Sequence, residues 1–389
     1  MKCYWQVATY LIFFFVSHFG LGQDLTSSKW GSGLKVTAQD SSFHLKFGFR
    51  FQTLYVGELN TVTDEYSDKM LIRRSRLKFD GWAYDPSIVY KVELAISNRD
   101  QRSGHIQESG NTANIVLDAA IKWSFSKDWQ LWFGQTKLPG NRERVISSQK
   151  LQFVDRSLVN SRFTLDRDKG IQIRHKNKAG GMVINQAFAF SLGEGRNIIA
   201  DNPRGGYQLT GRLEFLPFGS FTNKGDYFGS DLEREESPKL SVGITGDANF
   251  SSVRSRGNLG GFNTDVNGNY LSNDLTTIIA DMMFKFNGIS ASSEFATRSK
   301  GRSNTGFGTG SGFVFQAGYL LPSNWEFAGR YTTINGDSNS TISDLSEMTF
   351  GISRYIVGHS LKVQSDFSYQ DIPSGDNGFV FRLQTEIAL

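Results

Sequence analysis

FHLKFGFRFQTLYVG (43–57) decides the fold. One parity gives Phe43, Leu45, Phe47, Phe49, Phe51 and Tyr55; the other gives His44, Lys46, Gly48, Arg50 and Gln52. Side chains alternate faces along a strand, so this segment is greasy on one side and basic or polar on the other. Outward from it the alternation recurs. Ile88, Tyr90, Val92, Leu94 and Ile96 oppose Lys91 and Glu93, while Ile115, Leu117, Ala119, Ile121, Trp123 and Phe125 oppose Asp118 and Lys122. Leu209, Leu213 and Phe215, then Trp325, Phe327 and Tyr331, then Leu361, Val363, Phe367 and Tyr369 continue it. The chain ends on the same pattern at Phe379, Phe381, Leu383, Ile387 and Leu389. Weaker segments at 70–84, 129–138, 169–176, 182–192, 239–247, 276–286, 289–298, 312–321 and 347–355 bring the expected total to about sixteen strands of barrel length.

The connectors alternate in length. Asp85-Pro86, 126–128, 177–180, 287–288, 322–323 and 356–359 are tight, whereas 98–112, 139–168, 193–206, 248–273, 299–311 and 333–346 are long and polar. Only 216–238 breaks this alternation. Lipid offers the backbone no hydrogen bonds, so a membrane sheet must close and leave no edge. The expected fold is therefore all-β: a transmembrane antiparallel β-barrel of about 16 strands with short periplasmic turns and long extracellular loops. Trp82, Tyr84, Trp123, Trp129, Trp132, Tyr319, Trp325 and Tyr355 lie near strand ends, where interfacial girdles place aromatics.

Composition agrees. The 389 residues include 41 glycines, 32 phenylalanines and 7 prolines, suited to many strands and turns. A mean hydropathy of −0.34 excludes a bundle of apolar helices, since each needs ~20 largely uncharged residues. Residues 1–22, with Lys2, the apolar run Leu11–Val16 and Gly20-Leu21-Gly22, are expected to be a cleaved signal peptide. The sole cysteine, Cys3, falls inside it, which removes disulfide and thiolate chemistry from the mature chain. A formal charge of +4 is too mild to imply nucleic acid. A lead-in over 23–42 and one barrel domain over 43–389 complete the expected organisation.

If the apolar parity meets lipid, the polar parity lines water. Arg74, Arg76 and Lys78 lie on one face, joined by Lys46, Arg50, Arg174, Arg212 and Arg330 as expected pore-lining bases. Lys91, Lys122, Arg298, Lys362 and Arg382 share that parity, against Asp80, Glu93, Asp118, Glu214, Glu294, Glu326, Asp366 and Glu386. The modest excess of bases leaves two readings open: an anion bias, or the compensated wall of a general diffusion pore. Arg73 has the lipid-facing parity and is expected at the outer rim, reaching headgroups. Loop 139–168, expected to be the third and to fold inward, supplies Arg142, Arg144, Lys150 and Arg156 as constriction candidates.

The segments IRRSRLKFDGWAYDPSIVYKVEL (72–94), WFGQTKLPGNRE (132–143), FTLDRDKGIQIR (163–174), RLEFLPFG (212–219), GYLLPSNWEFAGRY (318–331) and GHSLKVQSDFSY (358–369) together resemble the phosphate-selective porin O/P family. The resemblance implies a sixteen-stranded outer-membrane channel, usually a homotrimer, with an inward third loop; the expected setting is the outer membrane of a Gram-negative bacterium, and no cofactor is expected. Its partners would be outer-membrane lipid and small anionic or polar solutes. Leu389 replaces the phenylalanine common at porin C-termini, and the family's phosphate-site residues do not map one by one onto these loops.

Other classes have less support. His44, His105, His175 and His359 lie without a serine or acid at a spacing that assigns nucleophile, base and orienter, so neither catalysis nor a metal site is expected. Gly306, Gly308, Gly310 and Gly312 precede no helix, and Asp265, Asn267 and Asn269 supply only half of a calcium loop. A barrel serving chiefly as an adhesin or docking platform stays open as an alternative.

Overall fold

The structure is a computed structural model. The structure describes residues 25–26, 29–97, 99–100, 114–198, 206–373, 375 and 377–389. The expected signal peptide, Cys3, His105 and most of loop 98–112 lie outside them.

Sixteen strands form the barrel: β1 Phe43–Asn60, β2 Glu65–Ala83, β3 Asp85–Ala95, β4 Val116–Trp123, β5 Trp129–Lys137, β6 Arg167–Ala179, β7 Met182–Ser191 and β8 Gln208–Leu216. They continue as β9 Lys239–Ser252, β10 Asn273–Phe286, β11 Ile289–Lys300, β12 Gly310–Leu320, β13 Trp325–Gly336, β14 Leu345–Val357, β15 Leu361–Asp371 and β16 Gly378–Ala388. Each pairs antiparallel with the next, and β16 returns to β1 with Arg382 opposite Val56, so the barrel has no edge. Phe313, Phe315, Phe327 and Tyr331 are exposed on the outer face, whereas Glu294, Arg298, Glu326 and Arg330 are buried within. Within the lead-in, Leu34–Thr37 pairs with the start of β1 and Leu25–Thr26 pairs with it in turn.

The turn edge carries 84, 124–128, 180–181, 287–288, 321–324 and 358–360, with 217–238 as its one long connector. The opposite edge carries 61–64, 96–115, 138–166, 192–207, 253–272, 301–309, 337–344 and 372–377, which makes 138–166 the third loop there. β1 and β2 run to 18 and 19 residues, well beyond the ~10 a tilted strand needs to cross, so their ends rise past the bilayer as a ribbon. Residues 248–252, expected in a loop, instead extend β9.

Two β-bulges overturn assignments made from parity. The β1–β2 register shifts between Gln52 and Thr53, leaving Arg73 as the extra residue between Ile72 and Arg74. Two consecutive side chains then turn the same way. Arg73 consequently points inward and forks onto Asp155 at 2.8 and 3.1 Å instead of reaching headgroups. The β3–β4 register shifts between Glu93 and Leu94, and Leu117 is buried there instead of facing lipid. The girdle also shrinks. Tyr84, Trp123, Trp129, Tyr319 and Trp325 are exposed near the turn edge, but Tyr355 is buried and Trp132 faces the lumen.

Candidate functional site: the lumen and its third loop

A barrel of sixteen strands is wide enough to leave an open channel, so whatever enters the lumen sets the path. Two segments enter. From the loop edge comes 138–166, carrying two short helices, α1 Arg142–Val145 and α2 Leu158–Phe163. Ser157 caps α2 by accepting from Asn160 N, and the Glu143 carboxylate accepts both Ser157 N and Oγ. From the turn edge comes 217–238, and the two meet: Gly229 N donates to Lys150 O at 2.8 Å, and Arg142 Nη1 to Asp226 O at 3.0 Å.

The third loop is fastened along one arc of the wall, from β10 round to β2. Val159, Phe163 and Leu165 pack on inward Ile279, Ala296, Val314 and Ile334 with Ile342 and Leu345, a greasy seat inside an otherwise polar lumen. Fully burying such a side chain is worth ~1.5–3 kcal/mol. Wall donors capture loop carbonyls: Arg298 takes Arg162 O and Phe163 O, Arg330 takes Asp155 O, Gln364 takes Gln152 O, and Lys362 takes Gln149 O, all at 2.8–3.0 Å. Val154 N donates to Asp366, Gln152 to Ser290 and Glu326, and Arg50 to Ser148. Asp155 receives Arg74 as well as Arg73; burial pushes its carboxyl up, but the two guanidinium groups outweigh that and hold it well below the carboxylate range.

Arg142, expected at the constriction, serves as a second anchor. It is buried against Asp281 at 2.8 Å and Glu214 at 3.0 Å, and Arg212 locks the same two carboxylates. Lys150 is also displaced from the constriction: its ammonium lies 3.5 Å over the Phe228 ring on the turn side. Burial, with Lys46 and Lys224 adding, lowers its pKa to about 8.

The opposite arc stays open. Between α1 and the wall formed by β2 to β6 lies a cavity of about 220 Å³. Among the described residues its lining includes nine bases and one acid, Glu93. Arg76, Lys78, Lys91, Lys122, Lys137, Arg167 and Arg174 come from the wall; Arg144 and Arg156 come from the loop. Some are paired from behind: Arg76 with Glu93 and Asp100 at 3.0 Å, Lys91 with Asp118 at 2.7 Å, Arg167 with Asp118 at 3.0 Å, and Arg144 with Asp166. Four of the other five hold neutral partners. Lys122 and Arg174 stack on Trp132 at 3.7 and 4.0 Å, Lys137 donates to Arg144 O, and Arg156 donates to Glu143 O and Ile146 O. Burial and the neighbouring Arg144 push the Arg156 pKa well below its ordinary value.

A second cavity of about 520 Å³ on the turn side shares Trp132, Val145 and Arg174 with the first. Arg212, Lys127, Lys176 and Lys224 help line it, with Asp128, Glu214 and Asp226. Lys46 opposes Asp80 near this end.

Inward Asp247, Asp281, Glu347, Lys285 and Lys137 were missed in the sequence because their neighbours give weak alternation. Among the histidines, His44 contacts Thr37, His175 contacts Gln186, and His359 is buried between Phe228 and Tyr355. Asp265 accepts Asn267 N and Asn269 N, which explains the DVNGN stretch as a turn.

Residues 45–257 match the family of phosphate-selective porins O and P. An uncharacterized protein of Aquifex aeolicus is 22% identical over 356 residues, covering 82% of this chain and 80% of its own. Among solved structures, the trimer form of OmpT from Vibrio cholerae superposes with a TM-score of 0.55 at 11% identity, covering 90% of this chain and 100% of that one. The anion-selective porin from Comamonas acidovorans gives 0.54 at 11% identity, over 89% of this chain and 100% of that one. With a closed sixteen-stranded barrel and more than half its length matched, this chain belongs to the phosphate-selective porin O and P family and is an outer-membrane porin.

Proposed function

We propose that this porin passes small hydrophilic solutes passively and favours anions, phosphate among them. The path runs between the third loop and the wall formed by β2 to β6, then out through the turn-side vestibule. The observation that carries this reading is the nine-to-one ratio of bases to acids around the narrow cavity. Rings of Arg and Lys lower the energy of a passing anion and raise that of a cation. Arg76, Lys78 and Arg174 act from the wall, and Arg144 and Arg156 from the loop. Arg50, Arg74, Arg330 and Arg142 hold the loop, while Lys46, Lys150 and Arg212 bias the turn-side end. An anion-selective structural neighbour agrees with this reading, and a neighbour solved as a trimer supports a homotrimer. Residues 1–22 serve as the export signal and 43–389 as the barrel domain.

Planar-bilayer recordings across a KCl gradient test the preference. An anion-favouring reversal potential is expected; a cation-favouring or zero potential leaves a general porin. Phosphate is tested separately: sub-millimolar phosphate should block the chloride current, and an unchanged current removes it from the proposal.

A further inference from the structure

The loop-edge ends of β7, β8 and β9 carry buried oxygen atoms without a hydrogen-bond partner among the described residues. Gln208 of β8 stands in register with Ser191 of β7 on one side and Asn249 of β9 on the other. Asp247 lies two residues along β9 on the same inward face, and its Oδ1 accepts from Gln208 Nε2 at 2.8 Å and Thr210 Oγ1 at 2.7 Å. All four of these side chains are more than nine-tenths buried. Even so, among the described residues Ser191 Oγ, Gln208 Oε1, Asp247 Oδ2 and Asn249 Oδ1 have no hydrogen-bond partner. Buried oxygens are normally paired, and four orphans on adjacent strands call for a common occupant.

The chemistry selects that occupant. Three of the four orphans are pure acceptors and the fourth is a hydroxyl. Asp168 brings a second buried carboxylate whose charge is felt at Asp247, its own oxygens accepting Lys169 N at 2.8 Å and Gly193 N at 2.6 Å. Arg298 is the cation whose field reaches Asp247, but its nitrogens are committed to Thr277, Arg162 O and Phe163 O. One water supplies two hydrogens and no charge. A hard cation accepts carboxylate, amide and hydroxyl oxygens together, and calcium tolerates the irregular geometry such a mixed set imposes.

We propose that Asp247, Asn249, Gln208 and Ser191 bind a calcium ion, with Asp168 adding negative charge. Asn249 Nδ2 donates to Gly193 O at 2.9 Å, so the ion would pin the start of loop 192–207 to the wall. The test uses full-length protein folded in detergent, stripped with chelator and titrated with CaCl₂ by calorimetry and thermal unfolding. About one calcium per chain should bind, and Tm should rise with calcium. Asp247→Asn and Gln208→Leu should each weaken binding on the order of tenfold, while Asp265→Asn, in the exposed turn, leaves it unchanged. Heat-modifiable migration on gels would show that each variant still folds, and the pair covers the failure of either one. Absence of binding at millimolar calcium would mean a water-filled pocket and overturn the site, as would unchanged affinity in whichever of these two variants folds.

Discussion

The lumen has two arcs built from the same residue types and used in opposite ways. From β10 to β2, charged side chains are spent on the third loop: Arg298, Arg330 and Lys362 donate to its carbonyls, Arg73 and Arg74 neutralise Asp155, and Asp366 receives its backbone N–H. From β2 to β6 the bases face a cavity, where Lys122, Lys137 and Arg174 lie against an indole or a neutral oxygen. A base inside a barrel therefore marks conduction only where no loop covers it. What sets the field is how charge is distributed around the circumference, more than the lumen total.

Breaking the sealed arc should produce the largest effect. Arg142→Ala leaves the buried Glu214 and Asp281 to Arg212 alone; it removes two charge-assisted bonds, each worth ~1.5–3 kcal/mol, so a loss of about 3 kcal/mol is expected. Unfolding of the detergent-folded barrel should show that loss, and the freed loop should become protease-sensitive with raised conductance. On the open arc, the double change Lys78→Glu with Lys122→Glu cuts the nine-to-one excess of bases to seven against three and should markedly reduce the anion-favouring reversal potential in a KCl gradient at little cost in stability. An unchanged potential would show that ions bypass these residues. Arg73→Ala sharpens the boundary between the arcs. Arg74 still holds Asp155, so the expected loss is about 1.5 kcal/mol in the same unfolding assay. The smallest effect is a pH dependence. The Lys150 ammonium is charged below its pKa of about 8 and neutral above it, so anion preference should fall slightly as pH rises through 8. Lys150→Gln should lessen that slope.

Sequence periodicity revealed the barrel because lipid and water impose the dyad directly on each strand. Phe313, Phe315 and Phe327 report the outer face whatever their neighbours do. It failed where a bulge reset the count, at Arg73 and Leu117, since an inserted residue leaves no compositional trace. For the site, parity placed Arg76, Lys78, Arg174 and Arg330 inward equally. It was silent on which would be covered, because that depends on contacts such as Arg330 to Asp155 O, 175 residues apart in sequence. Ile279 and Val314 were legible only as apolar residues, and their inward seat for Phe163 required the fold.

The separation into a covered and an open arc is tested most directly by thiol accessibility, because the chain's one cysteine, Cys3, lies outside the barrel strands. Lys122→Cys and Gln364→Cys would be recorded in bilayers before and after an anionic methanethiosulfonate reagent. Current through Lys122→Cys should fall while Gln364→Cys stays unmodified. Rapid block at position 364 with none at 122 would place the ion path on the opposite side of the loop and contradict the account.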